Sequence, residues 1–247
     1  MELYFKIEEY ERAYIQLKKY GKHEKAAELA YKLGKFEDSA KHFEQAQVPL
    51  KAAQVYEKIG ETKKAYLLRG EDAFARGQTV EAADWFLKGQ DYIRAAELYE
   101  WEKKFEKAAH CYTMNQNYLA AAENYVRCGN DQEAARMFEL GHEWKNAADI
   151  FLKYKKYQKA AELYEKAGQH YLAGDCFLKV DDDKRALANF QMVKHGTDFY
   201  TQAITQIANI FLKNRKPQLV EEKLGILLKD QPVNKSNLDW YYVYAQA

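Results

Sequence analysis

Paired alanines recur along the chain with a period of thirteen residues. They fall at 26–27, 52–53, 82–83, 95–96, 108–109, 121–122, 134–135, 147–148 and 160–161. Ser39–Ala40 and Ala65 continue the series in the first part of the chain, and one irregular step of 17 residues separates Ala65 from 82. Thirteen residues hold about ten helical residues and a tight turn, so the period predicts a succession of short helices about 15 Å long.

Aromatic residues keep the same period on both sides of the alanines. One column lies three residues after the second alanine: Phe43, Tyr56, Phe86, Tyr99, Tyr112, Tyr125, Phe138, Phe151, Tyr164, Phe177 and Phe190. Another lies four residues before it: Phe36, Tyr92, Phe105, Tyr118, Trp144 and Tyr157. Offsets of −4, 0 and +3 share one face of an α-helix. We therefore expect alanines to allow close helix contact and the rings to fill the core beside them.

Glycines form a third column between the predicted helices. Gly21, Gly34, Gly60, Gly77, Gly129 and Gly168 keep one phase, while Gly89 and Gly141 stand one residue early. Glycine after a helix adopts the left-handed conformation that ends the helix. The column predicts a tight turn after each helix.

A helix of ten residues is too short to be stable alone and must pack against its neighbours. Consecutive short helices with tight turns form antiparallel hairpins that stack. We predict an all-α fold, an α-α superhelical solenoid of short antiparallel helical hairpins of about 26 residues each. About fourteen short helices cover Tyr10 to His195, giving a solenoid domain at 1–195. Longer helices are expected at 196–247, where the period stops.

The irregular step of 17 residues is the period plus four residues, or about one helical turn. A whole added turn preserves the buried face of a helix while lengthening it. We therefore expect one longer helix at Glu61–Arg76 and a local change of superhelical curvature.

An alanine followed by an aromatic residue, with a glycine nearby, resembles the tetratricopeptide (TPR) pattern. "KAAELYEKAGQHYLAGDCF" is similar to the TPR-like repeats of intraflagellar-transport, vesicle-coat and clathrin heavy chain proteins. "LGILLKDQPVNKSNLDWYYVYAQA" resembles the junction of two ordinary TPRs, with Pro232 closing a repeat. A true TPR repeats at about 34 residues, so the peptide-binding residues of TPR clamps have no equivalent positions here. The resemblance implies a scaffold that binds proteins and implies no reaction.

The composition excludes several classes of function. Lys+Arg 38 against Asp+Glu 37 leaves a net charge of +1, whereas a nucleic-acid or anionic-membrane surface needs a positive field. No apolar run approaches the ~20 residues of a membrane span. Three cysteines without a CxxC pair favour a reducing, cytoplasmic setting. We expect no nucleic-acid partner and no membrane span.

No pattern typical of an active, cofactor or metal site occurs, so we expect no enzyme, cofactor or metal. The six histidines are scattered at different phases of the repeat, and Cys111 and Cys176 occupy a column of core residues. "DDD" at 181–183 is interpreted as a solvated turn that caps the next helix, with a cation site as the alternative. "KYKKYQK" at 153–159 is interpreted as a solvated basic turn around core aromatics, with base stacking as the alternative.

One column breaks its own pattern in the middle of the chain. Five residues after the second alanine the residues are mostly charged or polar, but Trp101, Met114 and Leu140 are apolar, with Arg127 between them. We hypothesise that they form a partner-binding patch, with Met114 and Leu140 as the closer pair and Trp101 separate. The alternative is that they pack locally under neighbouring helices.

The predicted function is a non-enzymatic protein–protein interaction scaffold that presents an extended helical-repeat surface. The alternative is a regulatory or sensor arm of a larger multidomain protein whose effector domain is not in this chain. A repeat protein that reads nucleic acid is disfavoured by the neutral charge. The partner is a protein of unknown identity, and self-association through the apolar C-terminal end is possible.

Overall fold

The computed structural model describes residues 2–228 and 238–246. Within these ranges every regular element is an α-helix. The helices belong to two compact units, of which the first ends at Asn130 and the second begins at Asp131. Neighbouring helices pack pairwise in each unit. The predicted all-α fold of short helices that pack against their neighbours along the chain is confirmed for the described residues.

The first unit contains nine described helices. They are α1 (Glu2–Lys19), α2 (His23–Lys32), α3 (Phe36–Gln45), α4 (Pro49–Lys58), α5 (Thr62–Ala75), α6 (Thr79–Lys88), α7 (Tyr92–Trp101), α8 (Phe105–Met114) and α9 (Tyr118–Arg127). The described part of the second unit contains eight. They are α10 (Asp131–Leu140), α11 (Trp144–Lys153), α12 (Tyr157–Lys166), α13 (His170–Leu178), α14 (Asp183–Gln191), α15 (Tyr200–Lys213), α16 (Pro217–Leu228) and α17 (Leu238–Ala245).

The spacing of the helices follows the period of the sequence. From α2 to α14 each helix begins thirteen residues after the one before, with a single step of seventeen between α5 and α6. The first helix, α1, has 18 residues, whereas the sequence period predicted helices of about ten. Residues 2–19 contain no glycine or proline that would end it sooner.

Each turn uses one residue to close a helix and to open the next. After α2, the N–H of Gly34 donates to the carbonyl of Tyr31 (3.1 Å) and the N–H of Lys35 donates to that of Ala30 (2.8 Å). This pair of bonds is the Schellman arrangement, which satisfies carbonyls at the helix end. The carbonyl of Lys35 then accepts from the N–H of Ser39 at 2.9 Å, in the first turn of α3. Ten helical residues and three turn residues make up the period.

The left-handed residue of the turn is not always glycine. The middle turn position has positive φ at Gly34, Gly60, Gly77, Gly129 and Gly168, but also at Gln47, Gln90, Lys103, Gln116, His142, Lys155 and Asp181. Our expectation was wrong for Gly89 and Gly141, because positive φ falls on Gln90 and His142 instead. Gly89 is right-handed, and an added Cβ would lie 2.8 Å from Leu67 Cδ2. Close packing of α5 explains this glycine.

The alanine pairs form the core that the sequence predicted. All of them are 0–3% exposed. The aromatic column that follows them is buried except at Tyr125 and Phe151, which are half-buried. The column that precedes them is half-buried throughout. The rings therefore cover the alanine contacts, and the preceding column forms the margin of the core.

The inserted turn lies in α5, which has 14 residues. The predicted long helix is confirmed, one residue shorter at each end than Glu61–Arg76. Gly70 in this helix is buried, and an added Cβ would lie 2.7 Å from the ring of Phe86 on α6. The expected change of curvature stays a prediction.

The helices lengthen where the period stops. α15 has 14 residues and α16 has 12, with Pro217 at its first position. The proposed division at 195 and 196 stays a prediction, and Pro232 lies outside the described residues. Among the described helices, none is long and apolar enough to cross a membrane.

Candidate interaction surface

The three predicted partner-binding residues each end a helix and are exposed. Trp101 ends α7 and is 80% exposed, Met114 ends α8 and is 49% exposed, and Leu140 ends α10 and is 47% exposed. Local packing under neighbouring helices, the alternative interpretation, therefore does not describe Trp101. Binding by these residues stays a prediction.

The fold does not bring Trp101 and Met114 together. α7 and α8 pack against each other and are joined by three residues, so they run in opposite directions. Their C-terminal residues lie at opposite ends of this hairpin. Leu140 belongs to the second unit, and its pairing with Met114 stays a prediction.

Three further apolar side chains on α7 and α9 are exposed, and the sequence did not single them out. Ile93 on α7, and Leu119 and Val126 on α9, are also exposed. Residues seven or eight positions apart share one side of a helix, so Ile93 lies on the side of Trp101, and Leu119 on the side of Val126. We call these four residues the α7–α9 surface. The second helix position carried only a weak signal, because Glu37 and Lys63 occupy it in other helices but so do Leu50, Val80 and Tyr171.

Glu100, the residue before Trp101, joins three helices. Its carboxylate accepts from the hydroxyl of Tyr112 on α8 (2.8 Å), from the amide of Asn124 on α9 (2.9 Å) and from the guanidinium of Arg127 on α9 (2.8 Å). Burial and this carboxylate raise the pKa of Tyr112, which keeps its hydroxyl protonated as a donor. The C-terminal ends of α7 and α9 are therefore held together beside the exposed indole.

Two carboxylates stand between the apolar residues of the α7–α9 surface. Glu97 lies midway between Ile93 and Trp101, and Glu123 follows Leu119 by one helical turn. Both are exposed, and neither forms an ion pair with a lysine or arginine of the described residues. The surface thus combines apolar side chains with free negative charge.

A groove of about 390 Å³ elsewhere in the first unit has a different character. It lies between α2 and α4 and is lined by Glu28, Tyr31, Lys32, Phe43, Lys51, Gln54 and Val55. Lys51 pairs with Glu24 at 2.7 Å, and Lys58 donates to the hydroxyl of Tyr31 at 2.8 Å. Lys51 therefore already has a carboxylate partner, whereas Lys32, which also lines the groove, is exposed.

The structure also decides several interpretations of the sequence. Cys111 and Cys176 are buried, as predicted, and burial raises the pKa of each thiol to about 11. Asp182 caps α14 by accepting from the backbone N–H of Arg185 at 3.0 Å, as the turn interpretation requires. Among the described residues, no three or more His, Cys, Asp or Glu side chains are grouped to hold a metal ion.

The basic segment at 153–159 differs in part from its interpretation. Tyr157 is half-buried, but Tyr154 is 55% exposed rather than part of the core. Its hydroxyl donates to Asp131 at 2.8 Å, and Lys153 pairs with the same carboxylate at 2.5 Å. These bonds hold Tyr154 on the surface at the start of α10.

No protein-family model and no curated protein matches the chain. Among solved structures, a chain of the APC/C hetero-tetramer Cut9–Hcn1 is similar over 90% of this chain, with 13% identity and a TM-score of 0.35. This chain spans about half of that one (51%). A structure of the human IFIT1 dimer with PPP-AAAA is similar over 86% of this chain and 68% of its own, with 17% identity and a TM-score of 0.30. Both TM-scores are too low to support an argument about this chain. Its fold is therefore assigned from the packing of its own helices.

Proposed function

We propose that this chain is a non-enzymatic scaffold that binds another protein through the α7–α9 surface. The observation that carries the proposal is the 80% exposure of Trp101 at the end of a helix that Glu100 fixes. Large aromatic side chains on rigid supports supply much of the energy of protein interfaces, because little conformational entropy is lost when they bind.

The charges indicate which partner suits the surface. Glu97 and Glu123 are exposed without a cationic partner among the described side chains, so they favour lysine or arginine on the other protein. Ile93, Trp101, Leu119 and Val126 favour apolar side chains. An amphipathic helical segment with apolar and basic residues satisfies both requirements.

A peptide-display selection tests this proposal. The full chain is used as bait, and Trp101→Ala and Tyr20→Ala variants are compared with it. Tyr20 is a matched control, since it is 69% exposed in the same unit but lies outside the α7–α9 surface. We expect enrichment of apolar and basic helical sequences whose binding falls at least ten-fold with Trp101→Ala and is unchanged with Tyr20→Ala. Equal binding to the wild type and Trp101→Ala would reject the surface.

The same bait decides between protein and nucleic acid. We expect no saturable binding of single-stranded RNA at physiological salt, because the chain is nearly neutral. Micromolar RNA binding that weakens with salt would contradict the protein-scaffold proposal and would favour a nucleic-acid-binding function. The sensor-arm alternative stays a hypothesis, since no described residue distinguishes it from a scaffold.

A further inference from the structure

Exposed apolar side chains stand at the C-terminal ends of three helices of the first unit. Phe74 is the penultimate residue of α5 and is 57% exposed, Trp101 ends α7, and Val126 is the penultimate residue of α9. Phe74 and Val126 are four periods of thirteen residues apart, so they occupy the same helix position. On α7 that position is Glu100, and Trp101 follows it. We call Phe74, Trp101 and Val126 the apolar row.

The three helices that carry the apolar row are neighbours and run in the same direction. α6 and α8 separate them in the chain, and every connection from α5 to α9 has three residues. The guanidinium of Arg94 on α7 pairs with Glu71 on α5 at 3.3 Å, and Asn124 on α9 donates to Glu100 on α7 at 2.9 Å. Neighbouring helices have axes about 8–10 Å apart, so the row extends over about 16–20 Å. It lies along one edge of the three helices.

The spacing of the apolar row fits a helix better than an extended peptide. Residues seven positions apart share one side of an α-helix and are separated by about 10 Å along its axis. In an extended chain, residues on one side are about 7 Å or about 13 Å apart, and neither value matches the step between neighbouring helices. Three apolar residues at i, i+7 and i+14 of a helix span about 21 Å. A single helix can therefore contact the whole row.

Carboxylates accompany two members of the apolar row. Glu97 lies four residues before Trp101, and Glu123 lies three residues before Val126, so each is one turn away on the same helix. Both are exposed and have no cationic partner among the described side chains. The corresponding carboxylate of α5 is Glu71, which is already paired. Negative charge is therefore available beside α7 and α9 rather than beside α5.

We propose that the partner segment is one amphipathic helix of at least about 15 residues that crosses α5, α7 and α9 along the apolar row. Phe74 is then a third anchor in addition to Trp101 and Val126. The apolar residues of the segment recur at i, i+7 and i+14. Its lysine or arginine residues flank the two apolar residues that contact α7 and α9. This inference rests on the proposed function and adds α5 to the binding site.

A display library of alanine-based helical peptides tests the proposal, with the full chain as bait. Each peptide carries lysines and three leucines, and the spacing between the leucines varies from about three to about eight residues. We expect peptides with a spacing of seven to be enriched at least ten-fold over those with a spacing of five, which places the leucines on different sides of the helix. Enrichment without a preference for seven, or no enrichment at all, overturns the crossing helix.

Two variants separate this inference from the proposed function. Phe74→Ala should weaken binding of the spacing-seven peptide at least five-fold. Leu50→Ala should leave it unchanged, since Leu50 is 43% exposed but lies on α4. If Trp101→Ala weakens binding and Phe74→Ala does not, the α7–α9 surface stands and the crossing helix is wrong. If neither variant weakens binding, both proposals fail.

Photo-crosslinking of the wild-type chain gives a second measurement that needs no substitution in it. A photoreactive residue replaces either the first or the last leucine of the spacing-seven peptide, and mass spectrometry locates the crosslink. We expect one position to label α5 and the other to label α9, in whichever direction the peptide runs. Labelling of a single helix from both positions would show that the peptide lies along that helix, which contradicts the proposal.

Discussion

Asn124 on α9 donates its side-chain amide to the carboxylate of Glu100 on α7 at 2.9 Å, across two helical steps of the repeat. The second unit repeats this relationship, since Asn189 on α14 donates to Glu165 on α12 at 2.6 Å. Both asparagines are buried at the seventh helix position, which Leu98 and Leu163 occupy in other helices. A buried amide there fixes the register of alternate helices.

The first prediction concerns this amide. Asn124→Ala should lower the free energy of unfolding by about 1–3 kcal/mol, because a buried hydrogen bond is lost and a cavity is left. Denaturant unfolding measures the change. In a double-mutant cycle with Glu100→Gln, the coupling should exceed about 0.5 kcal/mol. Additive effects would show that the two side chains do not stabilise each other.

The second prediction separates two helical glycines. Gly70→Ala should destabilise the chain by about 1–3 kcal/mol, since the new Cβ would lie 2.7 Å from the buried ring of Phe86. Gly225→Ala is the matched control, because its Cβ would lie at an ordinary 3.6 Å from Tyr244. The control should be neutral or stabilising by up to about 1 kcal/mol. Thermal unfolding of both variants checks this, and equal effects would contradict it.

The third prediction uses the left-handed turn position. Gln116 has a φ of 61° and is exposed. Gln116→Gly should stabilise the fold by about 0.5–1 kcal/mol, because glycine avoids the steric cost of this conformation. The greater conformational entropy of glycine in the unfolded state offsets part of this gain. Gly129→Ala, at the equivalent position of the next turn, should destabilise by about 1 kcal/mol. Effects of the same sign in the two variants would refute the argument.

The fourth prediction concerns alkaline pH. Burial raises the pKa of Cys111 from 9.0 to about 11. Between those values the unfolded thiol ionises while the folded thiol stays protonated, so ionisation favours the unfolded state. The stabilisation is complete below pH 9 and is lost as the pH rises to about 11. Over this pH range the free energy of unfolding should fall less steeply in Cys111→Val than in the wild type. Part of the fall should remain in the variant, because the pKa values of buried tyrosines are also raised. An identical slope in the variant and the wild type would show that ionisation of Cys111 does not contribute to the loss of stability.

The fifth prediction is the reactivity of the three thiols. Cys111 and Cys176 are buried and Cys128 is exposed. A thiol reagent should modify one cysteine rapidly in the folded protein and all three after unfolding. Mass spectrometry of the peptides identifies the site. Rapid modification of Cys111 or Cys176 would show that the alanine core opens readily.

The helices and their core were predictable because they depend on local spacing. The alanine pairs and aromatic columns define one face of each helix without reference to any other part of the chain. The turn conformation was only half predictable, since Gln90 and His142 are left-handed although a glycine precedes each of them. There the network of helix-end hydrogen bonds fixes the backbone regardless of the side chain.

The contacts between helices and the candidate surface were less predictable because they depend on how helices meet. His23 is the first residue of α2 and His42 is the seventh residue of α3. Because they occupy different positions of the repeat, the sequence period does not pair them. Antiparallel packing brings these two positions together. It does so again for His170 and Asn189, where the Nδ1 of the histidine lies 3.3 Å from the side-chain oxygen of the asparagine. The exposure of Trp101 likewise required the positions of α7 and α9.

The shared turn residue limits how this chain can change in length. Since Lys35 ends the hydrogen bonding of α2 and begins that of α3, removing or adding one residue there would disrupt both helices. Additions of whole turns inside a helix leave both ends intact, as the four extra residues of α5 do. Insertions and deletions that survive in such repeats should therefore come in steps of about one helical turn. Engineered spacers should be placed in mid-helix rather than in the connections.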